Sequence, residues 1–152
     1  MMVHRPVSRK AAPRKRPAAE PPSTAAPAAS RTAEVVLDVE VEHDRVHLIL
    51  ANCGDAVATE IHVEFSRPLL GIGGSVGVSG LPVFKRLGVL RPGRALRIFW
   101  DAAPTLFARR SETAPFVATV SWNERLRPSQ RAEYHHDLSI YEQWPECVDR
   151  EQ

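Results

Sequence analysis

The chain has 152 residues, 43% of them hydrophobic and 25% charged, which is enough material for one ordinary globular domain. No run of about eighteen apolar residues occurs, so the sequence excludes a membrane-spanning helix. The formal net charge of +2 conceals a strongly uneven distribution of charge along the chain.

Residues 1–32 are rich in proline and alanine, contain no aromatic residue, and carry seven Lys or Arg against one acid. The remaining residues carry 13 basic and 17 acidic side chains. Low hydrophobicity, like-charge repulsion and frequent proline leave this segment little to offset the entropy of ordering. We therefore expect a disordered basic tail at residues 1–32, with a stiff, extended spacer at 17–29.

The tail has neither the apolar core of a secretory signal nor a glycine in position for lipidation. The two cysteines, Cys53 and Cys147, do not fall within predicted strands, so they do not predict a disulfide between two sheets. Both observations favour a cytoplasmic protein with reduced thiols.

Hydrophobic residues alternate from residue 34 onward, which predicts strands with one buried face. The first two strands flank a turn at 43–45 and read as a hairpin. Gly54 is expected to supply a positive φ in the turn at 52–55. The residues expected to point inward on the first three strands are Val35, Leu37, Val39, Val41, Val46, Leu48, Leu50, Ile61, Val63 and Phe65.

Residues 67–82 are glycine-rich and lack periodicity, and the apolar residues 83–90 end at a turn signal around Pro92. Residues 102–110 predict a short helical turn with Asp101 near its cap. The inward residues of the last three predicted strands are Leu96, Ile98, Trp100, Phe116, Ala118, Val120, Trp122, Tyr134, His136, Leu138 and Ile140.

About seven strands with frequent turns and no long helical periodicity predict an all-β, immunoglobulin-like two-sheet antiparallel sandwich. We assign it to residues 33–144, between the disordered tail and a short C-terminal tail at 145–152.

The residues around 50–63 resemble a pattern in bacterial immunoglobulin-like modules, including the CARDB-like adhesion-related group and uncharacterised relatives. An Asn-x-Gly turn there precedes a small residue and a strand, and Asn52, Gly54 and Ala58 occupy those positions. The turn at 90–93 and the residues 137–141 are similar to later parts of such domains. The resemblance covers residues 34–142 and implies an immunoglobulin-like sandwich without catalytic residues.

Three residues are weak candidates for a metal site: His62, His135 and Asp137. If their strands share one sheet, imidazole and carboxylate groups on its outer face would form a zinc site and support a metal-dependent enzyme. A solvated polar face explains the same alternation. His136 falls in the inward register and is interpreted as a hydrogen-bonded histidine of the core or its rim.

The glycine-rich segment does not predict a nucleotide site, because Val76 stands where a dinucleotide fingerprint needs glycine and no Gly-Lys-Ser/Thr follows. It is interpreted instead as a flexible loop that contacts a partner, through Gly71, Gly73, Gly74, Gly77 and Gly80. The serines and cysteines lack the neighbours that activate a nucleophile, so we expect neither an enzyme nor a cofactor.

The leading hypothesis is therefore a non-enzymatic interaction module that binds an unidentified protein through this loop or by strand addition at an open sheet edge. The alternative is that the tail binds nucleic acid or an anionic surface. Its candidate phosphate-contacting residues are Arg9, Lys10, Arg14, Lys15 and Arg16.

Overall fold

The structure, a computed structural model, describes residues 31–142. Within that range the chain is all-β, with seven strands in two antiparallel sheets. A separate hairpin is formed by two further strands of two residues each. The prediction of a two-sheet antiparallel sandwich of about seven strands is confirmed. The predicted disorder of the tail falls on residues that lie, except for Arg31 and Thr32, outside the described range.

The described range contains nine strands and four short helical turns, all four of which come after residue 77. The strands are β1 (Val35–Glu42), β2 (Arg45–Asn52), β3 (Ala58–Phe65), β4 (Leu70–Gly71), β5 (Val76–Gly77), β6 (Leu87–Leu90), β7 (Ala95–Ala102), β8 (Phe116–Asn123) and β9 (Gln130–His136). The helical turns are α1 (Pro82–Lys85), α2 (Ala103–Phe107) and two 3₁₀ turns, Val78–Gly80 and Leu138–Tyr141.

The first sheet has the order β1-β2-β7 and the second the order β6-β3-β8-β9. The hairpin of β1 and β2 turns through His43 and Asp44, whose φ angles of 48° and 61° are positive. Such a two-residue turn matches the right-handed twist of the two strands. The predicted hairpin at this position is thus confirmed.

The two sheets enclose one core, formed by most of the inward set that the alternation predicts. Trp100 on one sheet meets Phe116 on the other edge-to-face, with ring centroids 5.8 Å apart. The glycine-rich segment also contributes Leu69 and Val78 to the core, and α1 contributes Phe84. The fully buried side chains of largest volume are Trp100, Phe84, Phe116, Leu37, Leu48, Leu50, Ile61, Leu69, Leu106, Leu138, Val35 and Val46.

Asn52, the first residue of the predicted turn, is 1% exposed and joins several segments. Its Oδ1 accepts hydrogen bonds from the backbone N–H groups of Glu34 (3.2 Å) and Gly54 (3.0 Å). Its Nδ2 donates to the carbonyls of Ala56 (2.8 Å) and Leu90 (3.0 Å). The Asn-x-Gly pattern therefore has a structural role, fastening the start of β1 to the loops that border β3 and β6.

The structure corrects three local predictions. Gly54 does not have a positive φ; a Cβ there would lie 2.2 Å from the carbonyl oxygen of Thr32, so close approach of two backbones requires the glycine. Asp101 does not cap α2, because its carboxylate binds Arg109 and the backbone N–H of Gly73 instead. Ile140 is 66% exposed, because β9 ends at His136 and a 3₁₀ turn breaks the alternation.

Candidate functional site

The outer edge of β7 is an unpaired strand edge at the end of the three-stranded sheet. The N–H of Asn52 donates to the carbonyl of Arg94 (3.0 Å), which places Leu96 and Ile98 at hydrogen-bonded positions facing β2. The backbone groups of the alternate residues, Ala95, Arg97 and Phe99, consequently point away from β2. We call the edge formed by residues 95–99 the open edge.

The other long edge of the same sheet is covered by side chains. On β1 the carbonyls of Val35 and Leu37 face away from β2. The hydroxyl of Tyr134 donates to the carbonyl of Val35 (2.8 Å), and Nε2 of His136 lies 2.9 Å from the carbonyl oxygen of Leu37. The interpretation of His136 as a hydrogen-bonded histidine of the core or its rim is confirmed, and its half-buried ring lies at the rim. These two contacts leave the edge of β1 less available for strand pairing than that of β7.

The edges of the second sheet are also poor templates for a partner strand. One edge is β6, which has only four residues. The other is β9, whose outer face carries Arg131 and Glu133, 3.6 Å apart. Short length and charge both disfavour pairing of an edge with another chain. Among the four sheet edges in the described residues, that of β7 therefore combines a length of eight residues with outward backbone groups that no side chain covers.

The face beside the open edge carries an exposed aromatic ring and a network of charged side chains. Phe99 is 42% exposed and packs edge-to-face on His47, with ring centroids 5.7 Å apart. Arg97 bridges Glu40 and Glu42, each at 3.1 Å. The hydrogen bond to Glu40 and the guanidinium of Arg97 lower the pKa of Glu42. The network therefore consists of opposite charges that hold Arg97 in place.

A shallow depression lies at the end of this face. It has a volume of about 460 Å³ and is lined by His43, Asp44, Arg45, Phe99 and Ala102. If an extended peptide lay along the open edge, one of its apolar side chains could contact both the ring of Phe99 and this depression.

The predicted partner loop folds against β7 at the same end as this depression. The N–H of Ile72 donates to the carbonyl of Trp100 (3.2 Å), and the indole N–H of Trp100 donates to the carbonyl of Leu70 (3.0 Å). A Cβ on Gly71 would lie 2.1 Å from the carbonyl oxygen of Trp100. The loop thus makes one backbone hydrogen bond to β7, at Trp100, directly after the last residue of the open edge.

An ion pair holds the tip of this loop. Arg109 contacts Asp101 at 2.6 Å, and the other bond to that carboxylate oxygen comes from the N–H of Gly73 at 3.0 Å. Gly73 and Gly74 have positive φ, as the turn between β4 and β5 requires. Around Gly77 and Gly80 an added Cβ would meet no atom within 4 Å. The five glycines therefore belong to an ordered hairpin and its exit, and three of them have specific structural roles.

His62 and His135 are on one sheet and Asp137 directly follows its last strand, but His62 is not brought together with the other two candidates. His62 pairs with Ser121 on β8, whereas His135 pairs with Val117. Two strand spacings and four residues along β8 separate them by roughly 16 Å. Hydrogen bonds from the side chain of Ser139 and, to a smaller extent, from its backbone N–H lower the pKa of Asp137. Between residues 31 and 142 no three His, Cys, Asp or Glu residues are grouped so that they could hold a metal ion.

Several residues that the sequence singled out lie outside the described range. Cys53 is free and exposed, but Cys147 lies outside the described residues, as do the five candidate tail residues Arg9, Lys10, Arg14, Lys15 and Arg16. In the described part of the chain, no helix is long and apolar enough to span a bilayer.

The open edge was not located from the sequence, although a signal for it exists. Only the turn at 91–94 separates β6 from β7, so the chain crosses from one sheet to the other without room for a further strand that would cover β7. The alternation of β7 shows its faces but not which of its edges is paired.

The comparison with known families gives one match. A family described as a domain of unknown function (DUF8453) matches residues 10–142, which include the whole described sandwich. No curated protein and no solved structure matches the chain.

Proposed function

The chain belongs to the family DUF8453, and we propose that its sandwich is a non-enzymatic interaction module that binds an extended segment of a partner protein along the open edge. The observation that carries this proposal is the edge itself: the backbone groups of Ala95, Arg97 and Phe99 face away from β2, and β7 is the last strand of its sheet. An extended segment placed there would make backbone hydrogen bonds and lengthen the sheet to four strands.

The topology supports an immunoglobulin-like assignment and explains why the edge is open. In immunoglobulin domains, strands A, B, E and D form one sheet, and C, F and G form the other. Here β1, β2 and β7 take the places of A, B and E, while β3, β8 and β9 take those of C, F and G. Strand D would pair with β7, and the direct turn from β6 to β7 leaves that place free for a partner.

Side chains near the open edge supply contacts for specificity. Phe99 stands beside the edge, and Ile72 and Leu70 are 53% and 38% exposed where the loop meets β7. A partner strand with apolar residues at alternate positions would contact these groups on one face. The predicted loop and the predicted strand addition thus become parts of one binding surface.

The experiment is selection of random peptides on phage with the full chain as target, followed by binding measurements on the selected peptides. We expect peptides with alternating apolar residues, and we expect Arg97→Pro to abolish their binding. Proline at this position removes an N–H that faces the partner and not β2, so the sheet itself keeps its hydrogen bonds.

Two control variants separate strand addition from other effects. Arg97→Ala removes the ion pairs with Glu40 and Glu42 but keeps the backbone N–H, and it should retain binding. Val41→Pro places the same residue on the edge of β1 and should also retain binding. Equal loss in Arg97→Pro and Arg97→Ala, with both variants folded, would contradict strand addition and indicate recognition by the side chain.

A further inference from the structure

Loops at one end of the sandwich contain a concentration of arginine. We call this region the arginine end. It comprises four segments that flank the strand ends at this end of the sandwich, namely residues 31–34, 53–57, 91–94 and 124–129. These residues include five arginines and three acids. The rest of the described chain has eight basic and eleven acidic side chains. Positive charge is therefore gathered at one end of an otherwise acidic domain.

Hydrogen bonds fix these loops relative to one another. The backbone N–H of Asn52 donates to the carbonyl of Arg94, and its backbone carbonyl accepts from the N–H of Gly93. The side chain of Asn52 donates to the carbonyl of Ala56 in the neighbouring loop. The N–H of Ala33 donates to Oε1 of Glu124 (2.9 Å), which ties the start of the domain to the loop at 124–129. The charges are thus carried by an ordered surface.

Most of the positive charge at this end is unpaired. The side chains of Arg31, Arg91, Arg94 and Arg125 are exposed and have no hydrogen-bond or ion-pair partner within residues 31–142. The fifth arginine, Arg127, is held by Glu124 at 3.0 Å. The two remaining acids are Glu34 and Asp55, and Asp55 accepts a hydrogen bond from the N–H of Thr32 (2.7 Å). This end therefore carries four unpaired arginines and only two exposed carboxylates.

The same end presents apolar side chains to solvent. Leu126 lies between Arg125 and Arg127 and is 80% exposed, the largest value among the exposed large hydrophobic residues of the described chain. Val57, the last residue of the loop at 53–57, is 42% exposed. A phosphate backbone offers little to an exposed leucine, whereas the interface of a bilayer accepts both the arginines and the apolar groups.

We infer that the arginine end binds the surface of an anionic bilayer, with the arginines on lipid phosphates and Leu126 inserted among the headgroups. This role goes beyond the proposed function, because the surface is separate from the open edge. Residues 1–30 carry six further basic side chains and are joined to this end by the chain at Arg31.

The test is flotation of the full chain with phosphatidylcholine vesicles that contain or lack phosphatidylserine. We expect binding only to the anionic vesicles, with each Arg→Gln change among Arg91, Arg94 and Arg125 lowering the partition coefficient about fivefold. Leu126→Ser should lower it by a similar factor, because it removes an inserted apolar side chain.

Matched variants at the opposite end serve as controls. Arg110 is exposed and without a side-chain partner in residues 31–142, and Ile140 is 66% exposed. Arg110→Gln and Ile140→Ser make the same chemical changes away from the arginine end, so binding should stay within twofold of the unmodified chain. A further variant measures how much of the vesicle binding depends on the tail. In it, five tail residues are changed to Gln: Arg9, Lys10, Arg14, Lys15 and Arg16.

Three results would overturn the inference. The first is equal binding to neutral and anionic vesicles. The second is binding that depends on the tail variant alone and is unaffected by Arg125→Gln and Leu126→Ser. The third is absence of vesicle binding together with binding to a short DNA duplex that Leu126→Ser leaves unchanged, which would assign the arginines to nucleic-acid phosphates.

Discussion

Asn52 satisfies all four hydrogen-bonding positions of its amide with backbone groups, and it does so while 1% exposed. Removing the amide would leave the buried carbonyl of Leu90, the half-buried carbonyl of Ala56 and two N–H groups without these partners, each at a cost of up to about 1–3 kcal/mol before water or rearrangement compensates. We expect Asn52→Ala to lower the free energy of unfolding by about 2–4 kcal/mol, measured by urea denaturation.

The neighbouring position provides the control for this change. Cys53 is exposed, and its thiol is free. Cys53→Ala should therefore change the free energy of unfolding by less than about 0.5 kcal/mol. If Asn52→Ala had an equally small effect, Asn52 would not be the joint between the segments.

Glu124 is the residue whose charge is coupled most clearly to folding. The hydrogen bond from Arg127, and to a smaller extent those from Trp122 and Ala33, outweigh desolvation and lower its pKa. A lowered folded-state pKa contributes stability above the unfolded-state pKa, about 4.3, and this contribution is lost as the pH falls through the folded value.

Glu124→Gln should consequently be less stable than the unmodified chain at neutral pH, and the difference should shrink as the pH is lowered from about 6 to about 3. Urea denaturation at several pH values measures it. Glu133→Gln, at an exposed position on β9, serves as the control and should change the free energy of unfolding by less than about 0.5 kcal/mol. A difference for Glu124→Gln that stayed constant with pH would contradict the coupling.

At the scale of elements, the hairpin of β4 and β5 depends on a close approach to β7. A Cβ on Gly71 would lie 2.1 Å from the carbonyl oxygen of Trp100, whereas one on Gly77 would meet nothing within 4 Å. Gly71→Ala should destabilise the fold by about 1–3 kcal/mol, as overpacking does, and should weaken peptide binding at the adjoining open edge. Thermal unfolding and peptide titration measure the two effects.

Gly77→Ala is the matched change on the same hairpin. It should leave stability unchanged or raise it slightly, because alanine restricts the unfolded chain. Equal effects of the two substitutions would mean that the segment does not pack on β7 and is the flexible loop that its composition predicts.

The elements differ in how much of them the sequence could predict. The strands with one buried face, such as β1 and β8, follow from alternation because burial of one face requires a period of two. The segment at 67–82 could not be read in this way, because its order comes from distant partners. Arg67 donates to the carbonyls of Glu112 and Ala114, more than forty residues away. The open edge likewise depends on which strands pair.

For the whole molecule, two surfaces follow from one topology. Passing directly from β6 to β7 leaves the edge of β7 open, and the same turn at 91–94 places Arg91 and Arg94 at the arginine end. The domain would thus hold a partner strand on the side of one sheet while its loops contact an anionic surface. Neither role requires the histidines that sequence reasoning considered for a metal.

Amide hydrogen exchange of the full chain, measured for single residues of β7 by NMR, tests the open edge most directly. The amides of Arg97 and Phe99 should exchange rapidly in the free protein, while those of Leu96 and Ile98, bonded to β2, exchange slowly. A selected peptide should then protect Arg97 and Phe99. Slow exchange at all four residues in the free protein, or no added protection when the peptide is bound, would contradict binding at this edge.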